Sequence, residues 1–159
     1  MANTKFSFTT AEGEVFTRKS ARAYTHVVVG RHNNALERAT ILAEHARPRS
    51  YDKANYQFYV ARAALQPGDT FVSTTGMGYE HVMTEKDVED AKKNLRGATN
   101  FQEYLDALRD SRLAGLVQRH GEGDAGPEVV LQWSQSAANA TKSIGQHSKF
   151  FTQVRVVAL

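Results

Sequence analysis

Apolar and polar residues alternate near the start of the chain, where "KFSFTT" places Phe6 and Phe8 on one side and polar residues on the other. A period of two predicts a half-buried β-strand. "AEGE" is a turn signal centred on Gly13, and the runs "VFTRKS" and "AYTHVVV" that follow are rich in β-branched and aromatic residues. The pattern therefore predicts a three-stranded antiparallel meander, with "KSA" as its second turn.

Helical periodicity takes over in the middle of the chain. "NNALERATILAEHARP" repeats its apolar residues on one face, with Asn34 as a capping residue and Pro48 as a stop. Residues 51–65 favour a helix because the run ends in alanines, although "YQFYV" alone would suit a strand. Two further helices are predicted, one over 85–96 capped by Thr84 and one over 101–120 capped by Asn100.

The segment between these helices, "QPGDTFVSTTGMGYEHV", predicts a long loop with one short strand at "TFVS". Its "TTGMGYEH" stretch has two glycines but no GK[ST] and no helix directly after them, so it suits a mobile loop better than a phosphate cradle. A lid or a partner-contacting tip is the alternative.

The end of the chain reads as strand, helix and strand, in "PEVVLQW", "SQSAANATKSIGQ" and "KFFTQVRVVAL", the last alternating less regularly than the first strand. A right-handed crossover would place these two strands side by side. Together the elements predict a single α+β domain over residues 1–159. We expect about five strands in one mixed or antiparallel sheet, with helices packed mainly on one face.

Composition narrows the class of protein. A chain of 159 residues is typical of one domain. No apolar run is long enough to span a bilayer, and the N-terminus lacks the pattern of a signal peptide, so we expect a cytoplasmic protein of a bacterium or of a virus in its host. The absence of cysteine excludes disulfides, thiolate metal sites and thiol catalysis.

Charge is spread unevenly although the net charge is only +3. Residues 1–62 carry ten Lys/Arg and five Asp/Glu, whereas residues 63–127 carry seven and eleven, and residues 128–159 carry three and one. Such a bipolar layout steers charged partners even when the total is small.

Local motifs give little support for catalysis. The six histidines form no HExxH pattern, and Asp106 and Asp110, one helical turn apart, are typical of an exposed helix face. Ser134 follows a strand but lacks the glycine of a nucleophile elbow, so Ser134 or Ser136 is better explained as a helix cap. We therefore expect no metal, no cofactor and no enzyme motif.

The stretch "VFTRKSARAYTHVVVGR", residues 15–31, is the strongest candidate for a binding surface. If it is a strand, Arg22, Tyr24, His26 and Val28 share one face, and Val27 lies on the core face. Arginine and tyrosine together suit phosphate contact and base stacking, and they are also enriched at protein interfaces. The predicted contact residues are Arg18, Lys19, Arg22, Tyr24, His26 and Arg31. A solvated strand edge is the competing interpretation.

A local resemblance points the same way. "RKSARAYTHVVV" resembles a pattern in small uncharacterised proteins of phages and plasmids, close to R-K-[ST]-x-R-x-Y-[ST]-H followed by apolar residues, over about residues 17–29. The resemblance implies a mobile-element accessory protein, a class that includes nucleic-acid binders and inhibitors of host defence. It carries over no catalytic residue.

Three functions follow as hypotheses. The first is a non-catalytic protein whose basic hairpin contacts nucleic acid or a nucleoprotein complex. The second is an anti-defence inhibitor, for example an anti-CRISPR protein, that docks on a protein partner and also uses the acidic segment around Glu85, Asp87, Glu89 and Asp90. The third is a small enzyme with a dispersed site, with His26 as first suspect. Oligomeric state is left open.

Overall fold

The structure is a computed structural model that describes residues 3–73 and 78–159. Its strands are β1 (Thr4–Thr9), β2 (Val15–Ser20), β3 (His26–Asn33), β4 (Thr70–Val72), β5 (Glu80–Val82), β6 (Ala125–Ser134) and β7 (Phe151–Ala158). Its helices are α1 (Asn34–Ala46), α2 (Ser50–Ala63), α3 (Glu85–Leu95), α4 (Phe101–His120) and α5 (Ala137–His147). None of the described helices is long and apolar enough to cross a membrane. The α+β class is confirmed.

The chain divides into two compact units. The first unit runs up to Ala39 and resumes at Gly115, and the second is Thr40–Ala114, so α1 and α4 each pass from one unit to the other. The prediction of a single domain stays a prediction.

The first unit is built on a three-stranded sheet in the order β6-β3-β7, with both pairings antiparallel. Val27, Val28 and Val29 in the central strand are fully buried, as expected of a strand covered on both faces. The predicted alternation, with Val28 on an exposed face, is therefore wrong. The predicted meander is also wrong, because β6 and β7 occupy both edges of β3.

The predicted single sheet of five strands is replaced by separate sheets of two, three and two strands among the described residues. Strands β6 and β7 do not lie side by side, since β3 is between them. Their side chains converge over Gly30, where an added Cβ would lie 3.0 Å from Leu131 Cδ1 and 3.2 Å from Val154 Cγ2. Gln153 has a φ of 53° where the β3–β7 register shifts, and this bulge explains the irregular alternation of the last strand.

Strands β1 and β2 form an antiparallel hairpin of their own, with Lys5 opposite Lys19 and Phe8 opposite Phe16. The apolar side of the hairpin packs on Tyr24, which precedes β3, and Phe6 meets this ring edge to face at 5.2 Å between ring centroids. Helix α5 packs against all three strands of the larger sheet, and its predicted cap is confirmed, because Ser136 Oγ accepts a hydrogen bond from the Asn139 amide.

The second unit holds α2, α3 and the short β4–β5 hairpin. Residues 51–63 are helical, as favoured from the sequence. Thr84 caps α3 as predicted, since its hydroxyl accepts from the Asp87 amide while the Asp87 carboxylate accepts from the Thr84 amide. The predicted strand at "TFVS" is confirmed over Thr70–Val72. Residues 74–77 of the predicted loop lie outside the described residues.

Candidate nucleic-acid interface

The outer face of the β1–β2 hairpin is polar and basic. Residues directly opposite each other in an antiparallel pair share a face, so Lys5 and Lys19 lie side by side, and Ser7 and Thr17 form the next pair. All four side chains are exposed. We define the outer face as Lys5, Ser7, Thr9, Val15, Thr17 and Lys19. It presents two ammonium groups above a row of hydroxyls.

The inner face of the hairpin is aromatic. Phe6, Phe8 and Phe16 are half-buried. Arg18 lies opposite Phe6, and its guanidinium carbon stands 5.1 Å from the centroid of the Tyr24 ring. This distance is within the range of a cation–π interaction. Tyr24 thus supports an arginine at the end of the hairpin, and Arg18 itself is exposed.

Tyr24 does not form the predicted stacking platform. Its exposed fraction is 9%, and its ring contacts Phe6 on one side and lies 6.1 Å from Trp133 on the other. A nucleic-acid base has no open ring face to stack on. The sequence placed Tyr24 on the exposed face of a strand, but β3 begins only at His26 and Tyr24 precedes it.

The other predicted contact residues differ in their surroundings. Arg22 is exposed in the segment between β2 and β3, where its backbone N–H donates to Ser20 Oγ at 2.9 Å. His26 is half-buried, with Nδ1 2.8 Å from the Thr25 hydroxyl oxygen. Arg31 forms an ion pair with Glu12 and donates to the Gly126 carbonyl at 3.0 Å. Arg18, Lys19 and Arg22 are therefore exposed, whereas Arg31 is engaged with Glu12 and Gly126.

The basic side chains of the hairpin lack carboxylate partners. Within residues 3–73 and 78–159, no carboxylate lies at ion-pair distance from Lys5, Arg18, Lys19 or Arg22. Most other arginines are paired in this way, namely Arg31, Arg38, Arg49, Arg62, Arg109, Arg112, Arg119 and Arg155. None of the described lysines has such a partner, so the unpaired Arg18 and Arg22 are what distinguish this region from most of the described arginines.

Two acidic side chains, the exposed Glu12 and the buried Glu128, hold the turn of the hairpin in place. The Ala11 amide donates to Glu128 Oε2 at 3.2 Å, and the Glu128 amide donates to Glu12 Oε2 at 3.3 Å. Burial alone would raise the pKa of Glu12, but hydrogen bonds from Arg31 and from the Glu128 backbone hold that pKa below its usual value. Glu128 is buried, and Arg155 lies 2.5 Å from its Oε1. The hairpin is anchored at its turn by charge and at its open end by aromatic packing.

A histidine cluster that the sequence did not reveal lies in the same unit. The rings of His32 and His120 stack at 3.9 Å between centroids with an interplanar angle of 7°. Glu37 Oε2 is 3.2 Å from His32 Nε2. Burial lowers the pKa of His120, and the nearby His32 and Arg119 lower it further. These residues come from β3, α1 and α4, so no local sequence motif predicts that they lie together.

The second unit has two pockets of its own. One has a volume of about 290 Å³ and is lined by Arg62, Tyr79, His81 and Asp87, with His81 Nε2 3.0 Å from Asp87 Oδ2. Hydrogen bonds from Thr84 and His81 lower the pKa of Asp87 well below its usual value. Because Arg62 also binds this carboxylate at 2.9 Å, both oxygens of Asp87 are engaged.

The other pocket, of about 470 Å³, is lined by Glu44, Arg49 and Arg112 among others. Both arginines bind Glu44, at 2.7 and 2.6 Å. With Arg109 and Asp52, the lining holds three arginines and two carboxylates, a formal charge of +1 before His45 is counted.

Two candidates from the sequence have structural contacts. Asp106 and Asp110 both bind the guanidinium of Arg109, at 3.1 and 2.8 Å. Ser134 donates its hydroxyl hydrogen to the Ser136 carbonyl at 2.9 Å. Comparisons of the chain with protein-family models, with curated proteins and with solved structures found no match.

Proposed function

We propose that this is a nucleic-acid-binding protein that contacts phosphates through the outer face of the β1–β2 hairpin, together with Arg18 and Arg22. The observation that carries the proposal is the lysine pair, Lys5 directly opposite Lys19, with no carboxylate at ion-pair distance in the described chain. A basic hairpin was expected from the sequence, and Lys5 is an addition to it.

The lysine pair has an energetic cost in the isolated protein. Like charges directly opposite each other across an antiparallel pair are destabilising, and cross-strand pairs contribute on the order of 0.2–1 kcal/mol. A phosphate placed between the two ammonium groups would reverse the sign of this interaction. Repulsion between the two lysines therefore destabilises the unbound hairpin, and a bound anion would remove this repulsion.

The neighbouring side chains favour nucleic acid over a protein partner. Hydroxyls of Ser7, Thr9 and Thr17 lie beside the lysines, and hydroxyl and ammonium groups are common donors to phosphate oxygens. Protein hot spots instead rely on tryptophan, tyrosine and arginine in desolvated pockets. The tyrosine and tryptophan of this region, Tyr24 and Trp133, contact each other beneath the hairpin.

The proposed mode of contact is mainly electrostatic. Tyr24 is buried, so it supports Arg18 and does not stack on a base. Contacts to phosphate fix position and carry no sequence information. We therefore expect weak sequence preference and strong dependence on salt. The resemblance of residues 17–29 to phage and plasmid proteins supports a role as an accessory factor of a mobile element.

The proposal is tested by fluorescence anisotropy with a labelled duplex and a labelled single strand at low salt. The test variant is Lys5→Ala combined with Lys19→Ala. The matched control is Lys142→Ala combined with Lys149→Ala, which removes the same charge from exposed lysines of the same unit. The hairpin variant should bind each ligand at least about tenfold more weakly, whereas the control should stay within about twofold, because the control removes none of the proposed phosphate contacts.

Equal losses in the two variants would show that net charge alone drives binding. If neither ligand binds the unmodified protein at low salt, the nucleic-acid proposal fails. In that case the same hairpin variant would be compared with the control for capture of a protein partner from nuclease-treated host lysate, as the anti-defence hypothesis requires.

A further inference from the structure

We propose that His32, Glu37 and His120 form a binding site for a divalent transition-metal ion of the zinc class. The nearest nitrogen or oxygen atoms of these three residues all lie within 4.8 Å of one another. All three belong to the unit that carries the hairpin, but the proposal does not depend on nucleic-acid binding. Two imidazoles and one carboxylate are a ligand set that suits Zn²⁺ and its neighbours.

The hydrogen bonds around Asn34 fix which nitrogen of His32 is available. Asn34 is fully buried, and its Nδ2 donates to the carbonyls of His120, Gly121 and Gly123, at 3.2, 3.3 and 2.9 Å. These three acceptors decide the orientation of the amide, so Oδ1 is the atom 3.1 Å from His32 Nδ1. An amide oxygen only accepts, and Nδ1 must therefore carry a hydrogen. In the neutral ring, Nε2 then holds the lone pair.

This arrangement is the one that histidine ligands usually have. A metal-binding imidazole commonly donates its other ring N–H to a carbonyl or carboxylate, which holds the ring in place. For His32, the acceptor of this hydrogen bond is Asn34 Oδ1. Its side chain is available because Asn33 takes the helix-capping role predicted for Asn34, accepting from the Leu36 amide at 3.0 Å.

Glu37 is oriented for the same purpose. Arg119 Nη2 donates to Oε1 at 3.1 Å, which leaves Oε2 facing His32 Nε2 at 3.2 Å. The site thus has an imidazole nitrogen and a carboxylate oxygen that are both held in place and face each other.

His120 is the ligand that must move. The stacked rings are nearly parallel, so their in-plane lone pairs run side by side and do not converge on one point. His32 is held by Asn34, whereas His120 is the last residue of α4 and is half-buried. A bound ion therefore requires the His120 ring to turn out of the stack. Gly126 permits the close approach, because a Cβ there would lie 3.2 Å from His120 Cβ and 3.3 Å from His32 Cβ.

The test uses the full chain without a polyhistidine tag. Isothermal titration calorimetry at pH 7.5 measures Zn²⁺ binding to the unmodified protein, to Glu37→Gln and to His120→Ala. Glu37→Gln keeps the shape of the side chain, so a folding defect is avoided. The control is His147→Ala, which removes a histidine of the same unit whose Nε2 lies 3.4 Å from Gln132 Oε1. We expect the unmodified protein to bind one Zn²⁺ ion per chain. Each cluster variant should bind Zn²⁺ at least about tenfold more weakly, since even the loss of a residue that hydrogen-bonds to a metal ligand weakens metal affinity by that much. The affinity of the control should be unchanged.

A second measurement reports the geometry directly. Ring resonances of His32 and His120 should shift on addition of Zn²⁺ in a heteronuclear NMR spectrum, while those of His147 stay in place. The proposal is overturned if the unmodified protein takes up no Zn²⁺, or if Glu37→Gln and His120→Ala bind it as well as the His147→Ala control does. Both readouts are independent of nucleic acid, so this proposal and the proposed function fail separately.

Discussion

Replacing Tyr24 with alanine separates a core role from a binding role for this side chain. The sequence suggested an exposed base-stacking residue, whereas the structure buries the ring between Phe6 and Trp133, with Arg18 above it. The two assignments predict different outcomes. If Tyr24 is an exposed stacking residue, its replacement weakens nucleic-acid binding and leaves the free energy of unfolding unchanged. If the ring is buried, its replacement lowers the free energy of unfolding.

The expected magnitude follows from what the ring contacts. Truncating a buried aromatic side chain to alanine costs about 3–5 kcal/mol. The edge-to-face contact with Phe6 accounts for about 0.5–1.5 kcal/mol of this, and the cation–π contact with the exposed Arg18 for about 0.5–1 kcal/mol. With 9% of Tyr24 exposed, we expect a loss of about 3–5 kcal/mol for Tyr24→Ala. Tyr24→Phe keeps the ring and should lose less than about 1 kcal/mol.

The assay is urea unfolding followed by tryptophan fluorescence. Trp133 is the only tryptophan and lies 6.1 Å from the Tyr24 ring, so its signal reports the unit in question. Equal slopes of the free energy of unfolding against urea are needed for the comparison. A loss under about 1 kcal/mol for Tyr24→Ala would refute the packing described for this ring and restore Tyr24 as a contact residue.

Three further predictions concern stability. Gly30→Val should lower the free energy of unfolding by about 1–3 kcal/mol in urea, because the new side chain would enter space filled by residues of β6 and β7. Gly145→Ala should raise it by about 0.5–1 kcal/mol, since Gly145 lies in α5 and an added Cβ would contact nothing within 4 Å. Asp87→Asn should be less stable than the unmodified protein at pH 7. The lowered pKa of Asp87 stabilises the fold above the unfolded value near 4, and that advantage is lost as pH falls through the folded pKa, so the two proteins should converge in acid denaturation.

The helices were predictable because their signals are local. Capping by Thr84, Asn100 and Ser136 rests on residues three positions apart, and the structure shows each of these contacts. Most strands were also predictable, since a period of two is a local property. Strand β5 was missed, because Glu80–Val82 falls in the segment that was predicted as a loop. The prediction that Asn34 caps α1 was wrong, because the neighbouring Asn33 accepts the hydrogen bond from the Leu36 amide instead.

Strand pairing was not predictable because the partners are distant along the chain. Val27 pairs with Trp133 on one side and with Val157 on the other, and no local signal marks these partners. The uninterrupted run Val27–Val29 is typical of a strand that is covered on both faces. The predicted alternation instead placed Val28 on an exposed face with Arg22, Tyr24 and His26. The same distance along the chain explains why the pairing of Lys5 with Lys19, which is central to the proposed interface, was not anticipated.

The salt dependence of binding tests the central claim most directly. Arg18, Lys19 and Arg22 are exposed and have no carboxylate at ion-pair distance among the described residues, so changing all three to alanine should leave the fold intact. Anisotropy with a labelled duplex across a salt series gives the slope of log K against log salt, and each phosphate contact contributes about 0.9 to that slope. We expect the slope of the triple variant to be shallower by about two to three units than that of the unmodified protein. Equal slopes for the two proteins would contradict the account, because they would show that Arg18, Lys19 and Arg22 contact no phosphate.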